Sequence, residues 1–155
     1  MTIAHDFAYA RPGTLEEALA LLVEHGAGAK LLAGGTDLVA WLRDDAIQPE
    51  MLIDIKRMEG LDGRIEEGDG TLELGSLVTF SDLLASDLAA EKLPLVVEAS
   101  GTVASVGVRN RATVVGNLCS AVPSCDAGPA LLVYEANINV IGSDGARTIP
   151  MADWF

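Results

Sequence analysis

The chain has 155 residues, the size of one compact domain, with room for a single core or one divided between two lobes. Half of its residues are apolar and 21% are charged, which is enough to bury a core and excludes a disordered tail or a disulfide-stapled miniprotein. Ten Lys plus Arg against 23 Asp plus Glu leave a formal net charge of -13, which repels a phosphate backbone and argues against nucleic-acid or anionic-membrane partners.

In chain order, residues 1–11 carry no basic segment followed by an apolar one, and nowhere do about 18 apolar residues run unbroken, so a cytoplasmic chain without a membrane span is expected. Leu15, Ala18, Leu19, Leu22 and Val23 keep helical spacing, with Thr14 as N-cap, Glu17 completing a capping box and Gly26 or Gly28 as the stop. An apolar run at 30–33 then meets Gly34, Gly35, Thr36 and Asp37, and a second helix continues through Leu38, Val39, Trp41 and Leu42. A further strand at 51–55 closes a first β-α-β-like lobe, residues 1–59. In the second lobe, residues 60–155, strands 64–67 and 71–75 flank Gly68-Asp69-Gly70, a hairpin signal. Helices are expected at 81–88 and 95–104, then an irregular stretch at 105–126, a helix at 127–136 with Pro129 in its first turn, and an edge hairpin of 138–141 and 146–149. Trp154 and Phe155 are expected either to continue into a longer chain or to fold their rings back onto the sheet. The fold class is therefore α+β, two lobes, the second mixed with antiparallel strands.

The most informative segment is Leu32-Ala33-Gly34-Gly35-Thr36-Asp37-Leu38. Two adjacent glycines between a strand and a helix let backbone N–H groups approach an anion, and the helix dipole adds about 0.3 to 1 kcal/mol per favourable charge, so a phosphate needs no loop lysine. The plainer reading is a tight turn with Thr36 as N-cap. The loop is neither a Walker A sequence nor a Rossmann fingerprint, since no Gly-Lys-Ser/Thr follows and Gly26-Ala27-Gly28 precedes the strand. A second segment rich in small and hydrogen-bonding residues, Thr113-Val114-Val115-Gly116-Asn117, is a second anion-capable loop. Asp126 is open to two roles, N-cap of the following helix and cofactor contact. Ser124 is a similar candidate.

These two motifs, followed by Pro123 and Asp126, resemble the FAD-binding medium subunit of the molybdenum hydroxylases, the xanthine dehydrogenase and carbon monoxide dehydrogenase family, from Phe7 to Phe155. The resemblance implies a two-lobed FAD-binding domain with FAD between the lobes, the cofactor bound by Leu32, Ala33, Gly34, Gly35, Thr36, Asp37 and Leu38 and by Thr113, Val114, Val115, Gly116 and Asn117, with Asp126 as a further contact. It implies a flavoprotein subunit of an oxidoreductase that relays electrons from 2Fe-2S clusters in a small subunit to an external acceptor. The molybdenum cofactor would lie in a large subunit, and the whole would be a dimer of heterotrimers. Because the flavin carries the redox chemistry, no catalytic side chain and no metal ligand is expected in this chain. The family's C-terminal domain has no counterpart in the sequence. The cysteine cluster of the aroyl-CoA reductase branch is also missing.

Val115 stands where the family usually has a glycine, and a β-branched residue forced to positive φ costs about 1 to 2 kcal/mol. The position is thus expected to stay extended, or else to weaken FAD binding. Val115 also motivates a rival reading, a non-catalytic or degenerate subunit that keeps the fold and subunit contacts without flavin. Another phosphorylated metabolite is a third occupant. Arg109 and Arg111 either offset the diphosphate charge or are solvated; Cys119 and Cys125 are expected as buried small hydrophobes, Trp41 as core, and His5 and His25 as uninvolved.

Overall fold

The computed structural model describes residues 3–122 and 125–155, so Pro123 and Ser124 lie outside the described residues. The chain divides into two compact units, Met1–Leu61 and Asp62–Phe155.

The first unit runs β1 (Ala8–Ala10), α1 (Leu15–His25), β2 (Ala29–Leu32), α2 (Thr36–Arg43) and β3 (Met51–Asp54). Thr14 and Glu17 form the reciprocal capping box that opens α1, and Gly26, at φ 49°, returns its N–H to the Leu22 carbonyl to close it. The three strands form a parallel sheet in the order β1-β3-β2, with Met51 opposite both Ala8 and Ala29. Because side chains alternate across a strand, neighbouring residues of β3 feed two cores. Ile53, fully buried, packs with Ala18, Ala29 and Met58 beneath α1, while Leu52 packs with Leu38 and Leu42 beneath α2. Each of the Ile, Leu and Met side chains contributes about 1.5 to 3 kcal/mol by leaving water. Trp41 is only half-buried, and its neighbour Leu42 holds the core position instead. Sequence reading did not anticipate β1, which is three residues long.

The second unit opens with the hairpin of β4 (Ile65–Gly68) and β5 (Thr71–Leu74), antiparallel across Asp69 and Gly70, both at positive φ as a tight hairpin turn requires. Among the described residues six short helices follow: α3 (Phe80–Ala85), α4 (Asp87–Lys92), α5 (Pro94–Thr102), α6 (Val106–Arg109), α7 (Val114–Ser120) and α8 (Ala127–Val133). A second antiparallel hairpin, β6 (Asn137–Gly142) with β7 (Gly145–Pro150), leads to a 3-10 turn at Met151–Asp153. The core gathers Val78, Phe80, Leu83, Ala89, Val96, Val114, Leu118 and Leu131.

Four expectations are corrected here. The helix at 81–88 is interrupted at Ser86, whose extended backbone ends α3 and whose side chain caps Ala89 of α4. The irregular stretch at 105–126 contains α6 and α7. The helix at 127–136 stops at Val133, because Glu135 adopts φ 53°. The terminal rings meet helices rather than a sheet: the Trp154 indole donates to the Leu118 carbonyl at 3.1 Å, and Phe155, 67% exposed, lies against Gly128.

Candidate functional site

The glycine loop leaves β2 at Leu32, the register partner of Asp54, and the Leu32 carbonyl accepts the Ile55 N–H at 3.2 Å. Asp54 is 6% exposed and accepts from the Tyr9 hydroxyl, from the Lys56 N–H at 3.1 Å and from Lys56 Nζ at 2.7 Å. Burial alone would push its carboxyl up, but these hydrogen bonds and the lysine charge prevail and hold it at about 2. This anchor fixes the strand end from which the loop departs, and only one signal marks it in the sequence, an acid closing the apolar run of β3.

Gly35, which has no side chain to serve as a cap, is the N-cap of α2 at φ 76°. This corrects the plainer reading of Thr36 as N-cap: Thr36 is already the first helical residue. A Cβ at Gly35 would lie 2.7 Å from Leu32 Cδ1, so both the backbone twist and the tight approach call for glycine. Ala33, Gly34, Gly35 and Thr36 are partly exposed, Asp37 is exposed, and Leu38 points into the core. The first turn of α2 thus directs its main-chain N–H groups, the positive end of a helix, toward the glycine loop.

In the second unit, Thr113 is the N-cap of α7 and its hydroxyl accepts the Gly116 N–H at 3.0 Å. A Cβ at Gly116 would lie 2.6 Å from that oxygen. The loop is pinned from behind, with Val114 N–H on the Val78 carbonyl at 2.9 Å and Phe80 N–H on the Ala112 carbonyl at 3.1 Å. Thr113, Val114 and Leu118 are buried, whereas Val115, Gly116 and Asn117 are partly exposed.

Val115 departs from the expected extended backbone. It sits in the first turn of α7, neither extended nor at positive φ, so the anticipated strain does not arise and the flavinless reading loses that support. Asp126 also departs from one of its two roles, since it precedes α8 but makes no side-chain cap. Its carboxylate is met instead by Asn117 Nδ2 at 3.4 Å. Ser124 and Pro123 lie outside the described residues. Arg109 is held by the main chain, with Nη1 donating to the Val103 carbonyl at 2.7 Å and the Ala104 carbonyl at 3.4 Å, while Arg111 is exposed. Cys125 is buried as expected but Cys119 is exposed. The His5 ring meets Phe7 at a tilt of 59°, and its Nδ1 lies 3.6 Å from Asp45.

The sequence-derived residues therefore fall into two clusters, 32–38 in the first unit and 113–117 with Asp126 in the second. Among the described residues no group of three or more His, Cys, Asp or Glu side chains could hold a metal ion, and no helix is long and apolar enough to cross a membrane.

Residues 5–155 match the model of the FAD binding domain in molybdopterin dehydrogenase. The chain is 38% identical over 149 residues to the carbon monoxide dehydrogenase medium chain of Hydrogenophaga pseudoflava, covering 96% of this chain and 52% of that one. It is 35% identical over 147 residues to the xanthine dehydrogenase FAD-binding subunit of Escherichia coli O157:H7, covering 94% and 50%. Among solved structures, a chain of carbon monoxide dehydrogenase from Hydrogenophaga pseudoflava superposes with a TM-score of 0.93 at 37% identity, covering 97% of this chain and 52% of that one. A chain of quinoline 2-oxidoreductase from Pseudomonas putida 86 gives 0.91 at 25% identity, covering 100% and 55%. The chain spans about half the length of the relatives it matches.

Proposed function

Because the chain belongs to the family of FAD-binding domains of molybdopterin dehydrogenases, we propose that it binds FAD through residues 32–38 of the first unit and through residues 113–117 and Asp126 of the second. The observation that carries this reading is the start of α2, where a helix N-terminus follows a left-handed glycine that has no side chain to cap it. That arrangement suits a diphosphate, which the backbone N–H groups and the helix dipole attract even in a chain of net charge -13. The second cluster fits as well. Asp126 is not used as a helix cap, and Gly116 presents backbone where a side chain would collide with Thr113.

When bound, FAD supplies the redox chemistry, and this chain supplies binding, orientation and electrostatics. Gly34 and Gly35 let the main chain approach the diphosphate, Thr36 and Asp37 offer first-turn N–H groups, and Leu38 anchors the turn in the core. Thr113 shapes the second loop through its cap on Gly116. We assign the whole protein to electron relay, receiving electrons from 2Fe-2S clusters of a small subunit and passing them to an external acceptor. A large subunit would carry the molybdenum cofactor, in a dimer of heterotrimers in the cytoplasm. The names of the relatives, a medium chain and an FAD-binding subunit, support this reading.

The test is a visible absorption spectrum of the purified chain before and after addition of FAD, with the heat-released flavin identified, compared with Gly34→Asp. The expected result is stoichiometric flavin in the wild type and its loss in a variant whose circular dichroism is unchanged, since a carboxylate then faces the diphosphate. Equal flavin retention in the folded variant overturns the site assignment.

A further inference from the structure

The amide oxygen of Asn117 is fully committed inside the second unit. This Oδ1 accepts the Ala127 N–H at 3.1 Å and the Cys125 thiol at 3.2 Å, which fills both lone pairs of an amide oxygen. A main-chain N–H only donates, so the atom facing Ala127 is the oxygen, and the amide orientation is thereby fixed. That orientation turns Nδ2 toward Asp126 Oδ2, at 3.4 Å. The first N–H of α8 is thus satisfied by a residue of α7, and Asp126, the residue in N-cap position, is released from that work.

We propose that Asn117 is a positioning residue, which ties α7 to the start of α8 and holds the Asp126 carboxylate where it makes a polar contact to the cofactor. The proposal rests on the FAD reading above. A carboxylate only accepts, so its counterpart on the ligand is a donor, a hydroxyl or ring N–H, and not the diphosphate.

The experiment measures two quantities on the full chain: hydrogen exchange of the Ala127 amide by NMR in the flavin-free protein, and the FAD dissociation constant by fluorescence titration. Asn117→Ala exposes the Ala127 amide to rapid exchange. Asn117→Asp keeps an acceptor there, so the amide stays protected, but it sets carboxylate against carboxylate, and FAD affinity falls about tenfold or more. That loss is recovered as the pH is lowered and the pair takes up a proton, a pH dependence that a purely structural defect lacks. The double variant Asn117→Asp, Asp126→Asn restores the hydrogen bond with donor and acceptor exchanged, and it binds FAD more tightly than Asn117→Asp alone. A protected Ala127 amide in Asn117→Ala overturns the tie. A double variant no tighter than Asn117→Asp overturns the positioning of residue 126, and this comparison stands even if Asn117→Ala does not fold. A wild type that shows the expected Ala127 protection but takes up no FAD sinks the FAD reading, and the role of Asp126 with it.

Discussion

At the scale of single residues, Asp54 shows how a buried charge is kept ionised. Its folded carboxyl lies at about 2 against an ordinary 3.8, because hydrogen bonds from Lys56 and Tyr9 outweigh its burial. A folded value below the unfolded one means that ionisation favours folding. The contribution is complete above about pH 4 and is lost as the pH falls toward 2, and a shift of that size corresponds to about 2 kcal/mol. Asp54→Asn removes it, so urea unfolding followed between pH 5 and pH 2 is expected to show a shallower loss of stability than the wild type. An unchanged slope would assign that acid sensitivity to other carboxylates. Gly35 and Gly70 make a second comparison, since their φ angles are 76° and 77° but only Gly35 has a neighbour, Leu32, where a Cβ would go. Both alanine variants lose about 1 kcal/mol to left-handed backbone. Gly35→Ala is expected to lose more in thermal unfolding, and to lower flavin uptake as well; equal losses would mean that Leu32 simply moves aside.

At the scale of elements, α7 is seven residues long and depends on its cap. Thr113→Val keeps the shape but removes the oxygen that receives the Gly116 N–H, which should cost about 1 kcal/mol in chemical denaturation, whereas Thr113→Ser should retain most of the stability. If the two variants are alike, the cap matters less than the two main-chain bonds that pin residues 112–114 to 78–80. The same helix shows where sequence reading succeeds and fails. Helix α1 was legible because eleven residues repeat an apolar face between a capping box and a glycine stop. Helices α6 and α7 are too short to repeat a face, and their Gly, Ser, Asn and Thr content is that of a loop. The pair Val114 and Leu118, four apart and both buried, was the one available clue. The residues of the candidate site were legible because closely spaced glycines and a Thr-x-x-Gly-Asn spacing are local patterns. Local patterns do not show whose oxygen caps whose helix. The separation of Asn117 from Ala127 by ten positions, and the capture of Tyr9 by Asp54 across 45, belong to tertiary structure.

At the scale of the whole molecule, the net charge of -13 sets the sign of every long-range encounter. FAD is itself an anion, so the proposed ligand approaches against repulsion and is captured only at short range by main-chain N–H groups. Stopped-flow association is therefore expected to accelerate several-fold when ionic strength rises from about 0.01 M to 0.15 M, as the screening length shrinks from about 30 Å to 8 Å. A decrease with salt would instead reveal a local cationic steering patch strong enough to reverse the field. The strand order β1-β3-β2 carries a different consequence, one for synthesis. The two outer strands are made first and never bond to each other, while the central strand, Met51–Asp54, is made last. On a ribosome the nascent chain holds two unpaired edges until about its fifty-fourth residue has cleared the exit tunnel, and the sheet then closes on both sides in one event. Nascent chains halted before Met51 should be degraded as readily as unstructured peptide, and those halted after the central strand has emerged should acquire protection in a single step.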